Sequence, residues 1–582
     1  MTAVDYRPSS YTLLETLDKM RHLLRQRGFL LEEEDWLNPL PHVWSVQLRE
    51  KHCPYLISNG KGVSREAALV SAYGEFIERL SCNSFFNGLY LSARFQEEAF
   101  AYYPQERWFA IEGPEWPRGL LDGPTLAHYN LNQDLFPEDL LDTGTANRVR
   151  GICALPFIRQ RNHQTVWFPV NIISNLYGGN GMGVGVGKYE ARVQALSEIF
   201  ERHIKTTIIS DGISLPRVPD EVLARYPQAQ ATLKALEAAG FVVEVQDASM
   251  NGKFPLINVT VVSPQSGGVF ACFGAHPRFG VALERALTEL MQGRSLPQLF
   301  DLPEASFDLA RIAEQANISA HFSKFTGRVA WDLLSDRSDY PFVDWDHPGT
   351  AQQQFAWMCE LIHKVDMDIY IADYEFMGLP ACRIIVPGMS DVQPVAKLLR
   401  SNDNRAAGLR SALLNLPKLS EQQWRELLEG LDDLELSPQL RIAELIGLVA
   451  DKGSVWHSLC VAEVQTLVYL ALGEREQALP CLRQLLQLPP AMERAGFYRC
   501  LHVLLQLALD DERKITDFER ILVRTYGQQQ VSLCLQVLDA CGTFPGIEAA
   551  GLELEGFRLH QSLLEAYDKL HKAKAAHHFA IR

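Results

Sequence analysis

The 582-residue sequence predicts a mixed α/β (α+β) body over residues 1–417 and an all-helical part over residues 418–582. Two observations carry this. Strand-like runs alternate with helical patterns as far as about residue 410, as in a body that packs helices on sheets. From about residue 418 the strand signal disappears, and stretches such as SLCVAEVQTLVYLALGEREQALPCLRQLLQLPP (458–490) keep a helical period.

In chain order, a polar helix is expected around residues 13–27. VWSVQL (43–48) and YLIS (55–58) read as strands closed by a turn at Asn59-Gly60, and KGVSREAALVSAYGEFIERL (61–80) then reads as a helix. Further strand-like runs are WFPVNII (167–173), PLINVTVVS (255–263), VFACFG (269–274), DIYIADY (368–374) and CRIIVPG (382–388). EVLARYPQAQATLKALEAAG (221–240) is a long helical run between them. In the helical part Gly473, Ala478 and Pro490 stand at the spacings of one tetratricopeptide-type helix pair, with an irregular bundle as the alternative.

A hydrophobic content of 47% and a charged content of 22% are those of an ordinary globular chain. No stretch reads as a signal peptide or as an apolar span of about 20 residues, so a cytoplasmic protein without membrane contact is expected. Eleven cysteines run from Cys53 to Cys541 without a CxxC pair, which argues for buried thiols in a reducing compartment and against a zinc or iron–sulfur site. The net charge of −16 repels a phosphate backbone, so no direct nucleic-acid partner is expected. ATP remains compatible where divalent cations offset the local negative charge.

The sharpest signal is a polar pattern repeated on three helices. AALVSAYGEFIER carries Ser71, Glu75, Glu78 and Arg79; EARVQALSEIFER carries Gln194, Glu198, Glu201 and Arg202 at the same offsets. ALERALTELMQGR carries Arg285, Glu289 and Gln292 at the first three, and in every copy alanine stands three residues before and one residue after the first polar position. At about 100° per residue, offsets 0, 4, 7 and 8 fall near 0°, 40°, −20° and 80°, on one face. Tyr73, Phe76 and Ile77, with their counterparts Leu196, Ile199, Phe200, Leu287, Leu290 and Met291, fall opposite. A single such helix is most simply a solvated face with i,i+4 ion pairs; the repetition argues for more.

Convergence of the three faces would gather Glu75, Glu78, Glu198, Glu201 and Glu289, a costly arrangement without cations. Mg2+, a hard ion that joins carboxylates to phosphates, suits that set, and the lack of histidine there disfavours zinc. NGKG (59–62) and NGMGVGVGK (180–188) precede the first two helices and offer backbone amides and a lysine for phosphate. Neither is a P-loop or a dinucleotide fingerprint.

Those segments, with PGMSD (387–391), resemble the YcaO-domain family. With WLNP (36–39), PFVDW (341–345) and the helical part, the similarity to its long, stand-alone bacterial members covers essentially the whole chain. The resemblance implies a YcaO-type ATP-binding core with several Mg2+ ions held by glutamates, and phosphorylation of a backbone amide oxygen. Carried over residue by residue, it makes Glu75, Glu78, Glu198, Glu201 and Glu289 metal ligands. Lys61, Ser71, Arg79, Asn180, Gln194, Arg202 and Arg285 become nucleotide contacts, and no catalytic residue is assigned. It also implies a homodimer, and an accessory role to the radical-SAM methylthiotransferase RimO in β-methylthiolation of an aspartate on a small-subunit ribosomal protein. Val186-Gly187 stand where an Asn-Thr type pair is expected, and the chain ends KAKAAHHFAIR without the proline-rich tail of ring-forming relatives. Peptide cyclodehydration or thioamide formation is therefore the secondary enzymatic expectation, and a nucleotide-binding scaffold that recruits partners is the non-enzymatic one.

Overall fold

The computed structural model describes residues 12–145, 148–323, 326–391, 394–395, 404–487, 494–539 and 542–581. Its first helix, α1 (Leu13–Gln26), starts at a capping box between Thr12 and Glu15. Strands β1 (Leu31–Leu40), β2 (Val43–Glu50) and β3 (Ile57–Gly62) form an antiparallel sheet in that order, and β3 leads into α2 (Arg65–Ser81), capped by Ser64. A second sheet runs β4 (Arg107–Phe109), β5 (Ile152–Arg159), β11 (Tyr370–Tyr374), β12 (Ala381–Ile385), β7 (Met182–Val184), with β6 (Thr165–Pro169) paired to β5. β7 leads into α3 (Lys188–Asp211). The third sheet runs β10 (Val269–Ala275), β9 (Leu256–Val262), β8 (Val242–Asp247), and β10 leads into α4 (Phe279–Leu290).

Each of the three patterned helices thus follows a strand, and each strand carries a glycine pressed against its helix. A Cβ at Gly60 would overlap the Ala68 carbonyl and Ala72; at Gly183, the Ala191 carbonyl and Ala195; at Gly274, the Ala282 carbonyl and Ala286. The spacing from glycine to the two alanines is the same in all three units. The repeated alanines are therefore the helix side of a close strand–helix contact that only small residues on both sides allow. This contact fixes the rotation of each helix. Phe76, Ile77, Leu196, Ile199, Phe200, Leu287, Leu290 and Met291 are accordingly buried, and the carboxylates turn away from the strands.

Several local expectations are corrected. Asn59-Gly60 is no turn: Asn59 pairs with Gln47 and Gly60 with Val46 inside β3, because the glycine serves the helix contact. The tight turn is at Pro41-His42 between β1 and β2, and β1 (LEEEDWLNPL) is too polar to read as a strand because much of it faces solvent. WFPVNII is strand only to Pro169, after which Val170–Ile172 is helical and Ile173–Tyr177 is a π-helical turn. EVLARYPQAQATLKALEAAG breaks at Tyr226-Pro227, since proline removes a helical donor, and gives helices Asp220–Leu223 and Pro227–Ala238.

From Arg410 onward the described elements are helical and build their own apolar core around Trp424, Leu467, Leu482, Leu501 and Leu504. Helices Val461–Ala471 and Arg475–Gln487 pack as one pair, with Gly473 at φ +75° in the turn and Ala478 fully buried; Pro490 lies outside the described residues. Packing crosses the 417/418 position in both directions. Tyr90 enters the helical core, while α5 (Arg558–Ile581) sends Leu563, Ala566, Tyr567 and Leu570 into the core of the first sheet and α2. Among the described residues no helix is long and apolar enough to cross a membrane.

Candidate nucleotide and metal site

The polar faces of α2, α3 and α4 meet, and their charges act on one another across the junction. Burial, then the neighbouring Glu198 and Glu75 carboxylates, push the Glu78 carboxyl well above the usual range. Burial raises Glu198 too, opposed by the Arg202 guanidinium beside it and reinforced by Glu201 and Glu75. Burial lowers the Lys61 ammonium, which feels Glu201, Arg285 and Glu75 at once.

Cations answer these carboxylates. Arg79 pairs with Glu75 on α2, Arg202 with Glu198 on α3 at 3.1 Å, and Lys61 from β3 reaches across to Glu289 on α4. Arg285 bonds to Gln194 of α3 and donates to the Ala275 carbonyl at 2.9 Å, so it ties α4 to α3, and burial lowers its pKa. Four of the expected nucleotide contacts, Lys61, Arg79, Gln194 and Arg202, and the five glutamates thus share one polar interior with Arg285. Ser71 stands one turn before Glu75 on the same face and has no hydrogen bond among the described residues.

Asn180 is placed differently. It is 1% exposed and its amide donates to the Ser390 carbonyl at 2.7 Å, so it pins the PGMSD loop to the start of β7. The glycine segments also depart from their expected use. Glu190 accepts from the amides of Val186 and Gly187 at 3.1 and 3.3 Å, Glu75 accepts from the Asn59 amide at 3.0 Å, and Lys188 pairs with Asp373 at 3.1 Å. In this conformation the Val186 and Gly187 amides are occupied by Glu190 because a helix N-terminus takes the nearest anion available, while the Asn59 amide, inside β3, is taken by a carboxylate of the helix packed on that strand. Of the two lysines, Lys61 alone joins the glutamates.

Among the described residues no three carboxylate, histidine or cysteine side chains stand close enough to hold an ion as they are, since the glutamates turn to the arginines and Lys61. The donor set fits a hard divalent cation: carboxylate oxygens from three helices, no thiolate or imidazole, and two carboxyls, Glu78 and Glu198, whose proton affinity is raised by burial first and by neighbouring carboxylates after it.

Two residues of this region were not singled out by the sequence pattern. Lys205 stands eleven residues after Gln194, three turns on, and so faces the same way; the helical period of α3 alone points to it, since the other two helices end before that offset. Arg383 on β12 is 1% exposed, bonds to the Gly178 carbonyl at 2.9 Å and counters Glu78. It reads as part of an apolar strand, and no local signal marks it.

Comparison with known proteins adds the following. The family model for the YcaO cyclodehydratase domain, described as ATP- and Mg2+-binding, matches residues 59–390, and that for the YcaO cyclodehydratase C-terminal domain matches residues 406–576. The chain is 42% identical over 97% of its length, and 97% of the relative's, to the ribosomal protein S12 methylthiotransferase accessory factor YcaO of Escherichia coli. It is 43% identical, again over 97% of both chains, to a protein of Haemophilus influenzae. A solved YcaO structure from Methanopyrus kandleri, bound with AMPPCP and Mg2+, is 17% identical with a TM-score of 0.41, covering 66% of this chain and 92% of that one. A likeness at that level adds nothing to the reading of the site.

Proposed function

The chain belongs to the YcaO family, and from that premise we propose that it binds ATP with Mg2+ between α2, α3 and α4 and uses the nucleotide to activate an amide of a protein substrate. The observation that supports this is the gathering of Glu75, Glu78, Glu198, Glu201 and Glu289, from three helices, around interacting cations. Packing alone would place apolar residues on those faces. Glu75, Glu78, Glu198, Glu201 and Glu289 would hold the metal, which when bound supplies charge neutralisation of the phosphates. Lys61, Arg79, Arg202 and Arg285 would bind and orient the phosphate chain, with Ser71 and Gln194 as neutral contacts and Asn180 holding the adjoining loop. The transfer proposed is of the terminal phosphoryl group to an amide oxygen, which makes the amide carbon open to attack.

The relation to the Escherichia coli factor extends the proposal to its biological setting: an accessory role to a radical-SAM methylthiotransferase acting on a small-subunit ribosomal protein, in the cytoplasm and as a homodimer. The helical region after residue 418 is proposed to contact those partners. The test is phosphate release by the full-length protein with ATP and Mg2+, beside the Glu75→Gln, Glu198→Gln double variant. Release that the variant loses supports an enzyme. Equal rates in both would return the chain to the scaffold reading.

A further inference from the structure

Lys205 is buried in α3 at 7% exposure, one turn past Glu201 and on the polar face of Gln194, Glu198 and Glu201. Its ammonium donates to the His321 carbonyl at 3.3 Å and lies 4.8 Å from the Phe322 ring centroid and 5.9 Å from that of Phe273. The His321 ring gives it no counter-charge: burial holds that imidazole at about 4, and Nε2 meets the Arg328 carbonyl at 3.0 Å. Among the described residues no carboxylate lies within 4.0 Å of Lys205. Arg79, Arg202 and Lys61 differ in this, each being paired with its own glutamate.

A buried ammonium served by one neutral oxygen and two ring faces is an unbalanced charge. Glu201 is the carboxylate whose field Lys205 and Lys61 share. A cation bound by the glutamates would withdraw that field, so the lysines would then need an anion from outside. Lys205 is also the deeper of the two, since the Lys61 side chain is 29% exposed. A nucleotide that enters phosphates first brings the far end of its chain to the deepest cation.

We propose that Lys205 reads the terminal phosphate of the bound nucleotide and so makes the site prefer a triphosphate to a diphosphate. The inference rests on the nucleotide reading above. Lys205→Met keeps the unbranched apolar stem, one atom shorter, while removing the charge; Lys205→Gln is the second variant, polar and uncharged. The full-length protein is titrated calorimetrically with Mg2+ and AMPPCP, and separately with Mg2+ and ADP, alongside thermal melts. The expected result is about tenfold weaker AMPPCP binding in either variant, ADP affinity within about twofold of wild type, and an unfolding temperature no lower than wild type. Equal weakening of both nucleotides, a drop in unfolding temperature with it, or no change for either would overturn the role of Lys205 and leave the nucleotide site standing. A wild-type protein that binds neither nucleotide would overturn both.

Discussion

Two buried lysines show how differently this molecule treats interior charge. Lys574 on α5 is 2% exposed and donates to Asn83 Oδ1 at 2.5 Å and to the Tyr102 carbonyl at 2.7 Å, with the Tyr103 ring centroid 4.0 Å away. Around it His571 donates to the Phe100 carbonyl at 2.9 Å and Tyr567 to the Ala101 carbonyl at 2.6 Å. Every partner is a fixed neutral acceptor, so the set locks one segment to another. Lys205 has one long bond to a carbonyl and two ring faces, and beyond them lie the charges of Glu201, Arg202 and Lys61, which act on it at longer range. A set closed by neutral acceptors serves the fold; a set of mutually repelling carboxylates and shared cations is completed by something that binds. The first should fail as structure, the second as affinity.

The largest effect should come from removing α5. A chain truncated after Asn415 loses Leu563, Ala566, Tyr567 and Leu570 from the core of the first sheet, together with the Lys574 bonds. It should show no cooperative unfolding transition by circular dichroism, and therefore no ATP binding. A cooperative melt in the truncated chain would break the contrast.

Acid should come next. His560 Nδ1 accepts from the Val449 amide at 3.0 Å and Nε2 donates to the Tyr90 carbonyl at 2.8 Å, so the ring is neutral, and burial holds it at about 4 against an ordinary 6.5. His321 is held at about 4 in the same way. A folded-state pKa below the unfolded one means stability fully present above 6.5 and lost as pH falls towards 4. Between pH 7 and pH 5 each ring should cost about 2 kcal/mol. Denaturant melts at the two pH values measure this, and His560→Gln should reduce the difference by about 2 kcal/mol; a flat profile refutes it.

Lys574→Met should cost about 2 kcal/mol, because Asn83 Oδ1 and the Tyr102 carbonyl are left buried without a donor. Glu289→Ala should be the mildest in stability, within about 1 kcal/mol, since its pair with Lys61 is partly exposed. It should nonetheless weaken Mg2+-dependent nucleotide binding about tenfold. Urea melts and calorimetry on the two variants, run side by side, test the contrast; a Glu289→Ala protein that loses stability without losing affinity would reverse it.

The division between legible and illegible parts follows the range of the interactions. PLINVTVVS and VFACFG announce β9 and β10 because their side chains go into a core on both faces. The three polar faces announce themselves because helix geometry converts spacing directly into direction. β7 is three residues long and β1 is largely solvated, so neither has the apolar signal of a strand. The error at Asn59-Gly60 has the same root: a glycine demanded by a helix eight residues later looks like a glycine demanded by a turn. Lys205 is legible only from the helical period of α3, because the other two helices end before that offset and the repeat does not mark it. Arg383 and the docking of α5 depend on contacts between distant segments, and nothing near them in the sequence says which core they join.

The reach of α5 bears on how the protein is made. Tyr567 and Lys574 bond to groups 466 and 472 residues earlier in the chain, so a ribosome that has released the first sheet and α2 has not yet made the helix that closes their core. Translation at about 5–20 residues per second leaves that apolar surface waiting for tens of seconds. Sheltering by chaperones during synthesis, and rapid removal of chains cut short before α5, are what this topology asks of the cell that produces it.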